Sequence, residues 1–138
     1  LVVVGKGQSE LEDLLKNVLD KQGRYLSFET HPEAGYYFRS DHFNFAKAGV
    51  PALFTESGAD IEGKGVEEGK RLQDEYTEKY YHQPSDEYNA SWKMEGSIAD
   101  LQVFFQLGQQ LASGHEWPQW KEGSEFKGIR DKSNASRK

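Results

Sequence analysis

Cysteine is absent from the 138 residues, which removes disulfides, thiol nucleophiles and cysteine metal sites together. That absence does not fix a compartment, because oxidising and reducing environments both permit it. Basic charge is short as well: 17 Lys and Arg stand against 23 Asp and Glu, a formal net charge of −6. Proteins that hold nucleic acid neutralise its phosphates with Lys and Arg, so no nucleic-acid partner is expected. No apolar run approaches the roughly 18 residues of a membrane span, and none is expected to cross a bilayer. No internal repeat is present. The length suffices for one domain, or part of one, with a real core.

The remaining sequence reads as alternating α/β. Leu1 to Val4 is a short apolar run of the kind that makes a buried parallel strand. Ser9-x-x-Glu12 has the form of a capping box, after which Leu11, Leu14, Leu15, Val18 and Leu19 repeat at helical spacing until Gly23. Arg24 to Phe28 reads as a second strand, Thr30 to Gly35 as a loop, Phe43 to Ala48 as a short helix and Pro51 to Thr55 as a third strand. The polar, Gly-rich stretch from Ser57 to Gly69 is long for a connection and reads as a site rim. Lys70 to Tyr80 predicts a charged surface helix. Ile98 to Ala112 is apolar over most of its circumference and is expected to pack against a sheet. Ser133 to Lys138 reads as a frayed end.

Two stretches carry chemistry. In Tyr81-His82-Gln83-Pro84-Ser85-Asp86-Glu87-Tyr88 a histidine precedes a turn-forming Pro-Ser-Asp, with a carboxylate four residues on that would orient its ring. Upstream lies Tyr37-Phe38-Arg39-Ser40-Asp41-His42-Phe43-Asn44-Phe45, followed by Gly49-Val50-Pro51-Ala52-Leu53. The second stretch resembles the Ser-Asp-His-x-x-Phe…Gly-Val-Pro-Ala block of metallopeptidase family 28. The first resembles that family's His-Thr-x-x-Asp loop. These are co-catalytic dizinc aminopeptidases, relatives of glutamate carboxypeptidases and glutaminyl cyclases. The order of the blocks and the strand-like Pro51 to Thr55 between them agree over about residues 1 to 113.

The resemblance implies a three-layer α/β/α fold around a mostly parallel sheet, two zinc ions and hydrolysis of peptide substrates by metal-activated water. Aminopeptidase activity is the leading form, with a glutamate carboxypeptidase-like or glutaminyl cyclase-like enzyme, or a non-catalytic module that kept the fold, as the alternatives. It implies that His82 is a zinc ligand, a neutral imidazole being a normal one. Asp86 would be its orienter or, equally, a turn-capping aspartate. Asp41 would belong to a buried hydrogen-bond network beside the metals, with His42 structural. Tyr37 stands four residues before Asp41, where relatives place a phenol that donates to the developing oxyanion; the other reading is a tyrosine packed with Tyr36 and Phe38. The family also needs a His-x-Asp pair, a Glu-Glu pair and a further acid. His31 stands before Pro32 in an acidic loop, and Glu67-Glu68 follows the Ser-Asp-His block rather than preceding it. The chain is therefore expected to be the C-terminal part of a longer enzyme. Most zinc ligands would lie upstream, and the missing half of the domain would be its partner. Residues 1–113 would be the peptidase part and 114–138 a tail packed on it. Taken alone the chain is expected to be inactive, and to self-associate or expose apolar surface around Leu1–Val4 and Pro51–Thr55. Secretion or a periplasmic location is favoured by the resemblance alone.

Other patterns resolve into plain roles. Gly5-Lys6-Gly7 follows a strand, but Glu10 stands where a nucleotide loop needs its third glycine, so it is a strand-to-helix turn. Asn89-Ala90-Ser91 and Asn134-Ala135-Ser136 fit the glycosylation pattern. Trp117-Pro118-Gln119-Trp120 reads as an aromatic anchor for the tail, since tryptophan must bury much of its surface.

Overall fold

The computed structural model describes residues 1–115 and 117–136. Within them the chain is α/β. Strand β1 (Val2–Val4) leads through a glycine turn to α1 (Leu11–Lys21), then β2 (Ser27–Phe28), two short 3-10 turns (Pro32–Ala34 and Tyr36–Arg39) and α2 (His42–Lys47). After β3 (Phe54–Glu56) come α3 (Gly65–Lys79), α4 (Glu95–Ser113) and α5 (Lys127–Ala135). The last of these falls largely where no element was expected, and it runs to Ala135 where fraying was expected from Ser133. Arg137 and Lys138 lie outside the described residues.

The sheet has the order β2-β1-β3. β1 pairs in parallel with β2, through Val2 opposite Ser27, and antiparallel with β3, through Val3 opposite Thr55. A mostly parallel sheet is thus met by one pairing and not by the other. Alternate residues of a strand face opposite sides, and β1 follows that rule. Val3 joins Leu1 with Leu15, Val18 and Leu19 of α1 and Val103 and Leu107 of α4. Val4 joins Tyr37, Ala46, Trp120 and Phe126 in a second cluster. Each buried Val or Leu side chain contributes about 1.5–3 kcal/mol of transfer free energy, so β1 is the seam of both cores.

Two expectations are corrected here. Leu1, Val3 and Val4 are buried and Pro51 to Thr55 half-buried, so those strands do not present the exposed apolar face expected of them. One stripe of exposed apolar surface is on α4: Val103 and Leu107 face α1, while Ile98, Leu101 and Phe105 are 52%, 66% and 69% exposed. The capping box also forms differently. Ser9 Oγ donates to the Ala52 carbonyl (3.2 Å), and Glu12 accepts from the Gln8 amide (2.9 Å). Ser9 is fully buried, and from there its hydroxyl reaches the chain entering β3 rather than the first turn of α1.

Candidate functional site

The Tyr37 turn is set by Gly35, whose left-handed backbone (φ 69°) starts the 3-10 turn Tyr36–Arg39. Of three consecutive aromatics, only Tyr37 turns inward: it is 5% exposed, against 49% for Tyr36 and 53% for Phe38. Its ring meets Phe38, His42 and Phe43 edge-on at 5.5, 4.6 and 6.3 Å, and Phe126 at 6.3 Å. Gly5 lies against the same ring, so closely that a Cβ there would stand 2.1 Å from Tyr37 Cδ2. The phenol oxygen is buried and has no hydrogen-bond partner among the described residues. Burial, with smaller contributions from the charges of Glu125 and Glu12, pushes its pKa up to about 12.

Ser40 is extended and breaks the 3-10 turn before α2 begins at His42. Asp41, expected in a buried network, is exposed at the helix entrance and makes no side-chain cap bond. The helix start sets this outward, because the next residue's imidazole takes the inner place. His42 lies between Tyr37 and Phe54, whose ring is 5.1 Å away, and burial lowers its pKa. Neither ring nitrogen has a partner among the described residues, so Ser40, Asp41 and His42 form no hydrogen-bonded triad.

The second block sits where α3 ends. The amides of Tyr80 and Tyr81 both bond the Tyr76 carbonyl (2.9 and 3.0 Å), and the chain then reverses through His82. His82 has φ 60°, making it the one non-glycine with a left-handed backbone among the described residues. Such a conformation costs an L-residue roughly 1–2 kcal/mol, and strain of this kind gathers at functional sites. The imidazole is exposed and stacks on Tyr81 with centroids 3.8 Å apart. Asp86 shares the loop but does not hold that ring: its carboxylate accepts from the Tyr76 hydroxyl (2.7 Å), and its amide closes a turn onto Gln83. An open cavity of about 280 Å³ lies beside Asp86, walled by Tyr76, Tyr80 and Trp92.

The arrangement thus brings Tyr37 and His42 ring to ring, and gives His82 and Asp86 one loop without a bond between them. A catalytic zinc needs three protein ligands and a structural one four. Among the described residues no three His, Cys, Asp or Glu side chains converge as a metal site. His82 offers one free imidazole, so these residues do not make a zinc site by themselves.

A sequence model of peptidase family M28 matches residues 1–105, about three quarters of the chain. The chain belongs to peptidase family M28. No curated protein and no solved structure matches it. Family M28 is in general zinc-dependent, and membership makes this a domain of metallopeptidase type. Both motif blocks fall inside the matched residues of this M28 chain, whereas Trp117, Trp120, Phe126 and α5 fall beyond them. Gly5, Trp120 and Phe126 were not singled out by sequence as residues of the Tyr37 site. The one signal was the tryptophan-rich tail, which announces an anchor but not its mooring.

Proposed function

We propose that this chain forms the C-terminal part of the catalytic domain of a zinc-dependent exopeptidase, an aminopeptidase in its leading form. The observation that carries the reading is the M28 match across both the Ser40-Asp41-His42 block and the His82 to Asp86 loop. In the whole domain the mixed sheet would be continued into the three-layer α/β/α arrangement. His82 would hold one corner of a zinc, with the other ligands and the general base supplied from outside the described residues. Its left-handed backbone and exposed ring support that role.

Tyr37 is read as the donor to the oxyanion. A buried hydroxyl without a partner costs about 1–3 kcal/mol, a penalty that phenylalanine in the same space would avoid. Keeping the hydroxyl is understandable if it donates to an acceptor that arrives with the substrate. Preorganised donors stabilise new negative charge in the transition state more than the ground-state carbonyl.

The test uses aminoacyl-arylamides with the chain alone and with the intact enzyme. The chain alone should show no turnover with added zinc, whereas the intact enzyme should hydrolyse them and stop on chelation. His82→Ala should reduce both bound zinc, by elemental analysis, and rate. Chelator-sensitive turnover by the chain alone would overturn its assignment as part of a site. Unchanged zinc content in His82→Ala would overturn the ligand.

A further inference from the structure

The tail beyond the family match is built into the Tyr37 site. Gln119 to Lys121 pair with Gln8 to Glu10: the Glu10 amide bonds the Gln119 carbonyl and the Lys121 amide the Gln8 carbonyl, each at 2.9 Å. Glu10 returns the contact by accepting from the Gln119 amide (2.9 Å), and Ser124 Oγ donates to Gln8 (2.9 Å). The tail is thereby knitted to the connection after β1, the same connection whose Gly5 lies against the Tyr37 ring. From there Trp120 is buried and donates its indole N–H to the Gly49 carbonyl (3.0 Å). Gly49, with φ 81°, also abuts α5, where a Cβ would come within 2.9 Å of the Arg130 nitrogen. Phe126 packs on Trp120 at 5.0 Å and on Tyr37 at 6.3 Å.

Nothing polar fixes the direction of the Tyr37 phenol, because its oxygen has no partner among the described residues. The 3-10 segment that carries it is a single turn, and its neighbours Tyr36 and Phe38 face solvent. Packing therefore seats the ring: Gly5, Val4 and Ala46 lie around it with the aromatic neighbours, and the tail supplies Phe126 with Trp120 behind it. We propose that Trp120 and Phe126 are positioning residues that aim the Tyr37 hydroxyl at the reacting carbonyl. This rests on the oxyanion reading of Tyr37 given above.

The experiment is a double-mutant cycle in the intact enzyme. Phe126→Leu and Trp120→Phe, each conservative in volume or shape, are made in wild-type and in Tyr37→Phe backgrounds, and kcat and KM are measured on aminoacyl-arylamides. Misplacing a reacting group by about 1 Å can cost up to about 100-fold. Phe126→Leu should therefore lower kcat by roughly tenfold to a hundredfold with KM nearly unchanged, and cost little further once Tyr37 is phenylalanine. An alkaline phenol titration of the 138-residue chain, with Tyr37→Phe subtracted, gives a readout independent of activity. The Tyr37 transition should move down from about 12 in the tail variants. Equal kcat losses in both backgrounds would overturn the proposal, as would full kcat in both tail variants where Tyr37→Phe is impaired. Full turnover by Tyr37→Phe would instead remove the oxyanion reading beneath it.

Discussion

Replacing Gly5 with alanine puts a number on the contact that seats Tyr37. Gly5 has φ 78°, where an L-residue pays roughly 1–2 kcal/mol against the backbone. Its new methyl would also stand 2.1, 2.6 and 2.9 Å from Cδ2, Cε2 and Cγ of the Tyr37 ring, far inside contact distance. Forcing an extra carbon into a packed core typically costs about 1–3 kcal/mol as neighbours shift. The sum, about 2–5 kcal/mol, is a large part of the stability of an ordinary domain. Gly7→Ala is the internal control. Its φ is 83° but nothing lies within 4 Å of the added carbon, so it should lose only the backbone share. Urea unfolding of the two variants, with slopes of about 1–3 kcal/mol per molar, should separate their midpoints by roughly 1 M. In a Tyr37→Ala background the ring is gone and the two glycine substitutions should cost the same. Equal midpoints for Gly5→Ala and Gly7→Ala with Tyr37 present would refute the close seating of the ring.

If the chain works within a larger enzyme as proposed, Asp86→Ala should reduce activity by less than His82→Ala, because the Asp86 carboxylate is bonded to the Tyr76 hydroxyl and not to the His82 ring. Tyr76→Phe should follow Asp86→Ala, because the Tyr76 hydroxyl holds that carboxylate; a full-strength enzyme in both variants would detach Asp86 from the site. The chain's stability should depend on pH at both ends. Tyr37, raised to about 12, is more readily ionised when unfolded, so its contribution is complete below about pH 10 and lost as pH rises through about 12. His42, lowered by burial, binds its proton more readily when unfolded, so stability falls as pH drops below about 6.5. Unfolding free energies of Tyr37→Phe and His42→Gln should show shallower alkaline and acid slopes respectively; unchanged slopes would contradict the burial argument. Finally, the α4 stripe of Ile98, Leu101 and Phe105 should make the isolated chain self-associate in sedimentation at rising concentration. Leu101→Glu should return it to monomer, and a wild-type monomer throughout would discard the expectation.

Local pattern, read alone, determined the order and kind of most elements and the two motif blocks. The apolar run of β1 and the Leu11, Leu15, Val18 and Leu19 stripe of α1 are short-range periodicities, and they bury as periodicity dictates. Glycine at position 5 announced a turn for the same local reason. Family membership too was legible, since it rests on residue types at fixed spacing. Tertiary structure decided the rest. Tyr36, Tyr37 and Phe38 are equivalent aromatics by composition; which one enters the core depends on where the 3-10 turn meets β1 and the tail. The Ser9 hydroxyl chose a carbonyl 43 residues away over the helix beside it, and Trp120 one 71 residues away. The exposed stripe on α4 looked in sequence like its buried face, because both are apolar. Only the packing of α1 against Val103 and Leu107 assigned inside and outside. Spacing records what neighbours along the chain can do together, whereas the burial of the Tyr37 ring is set by residues drawn from both ends of the chain.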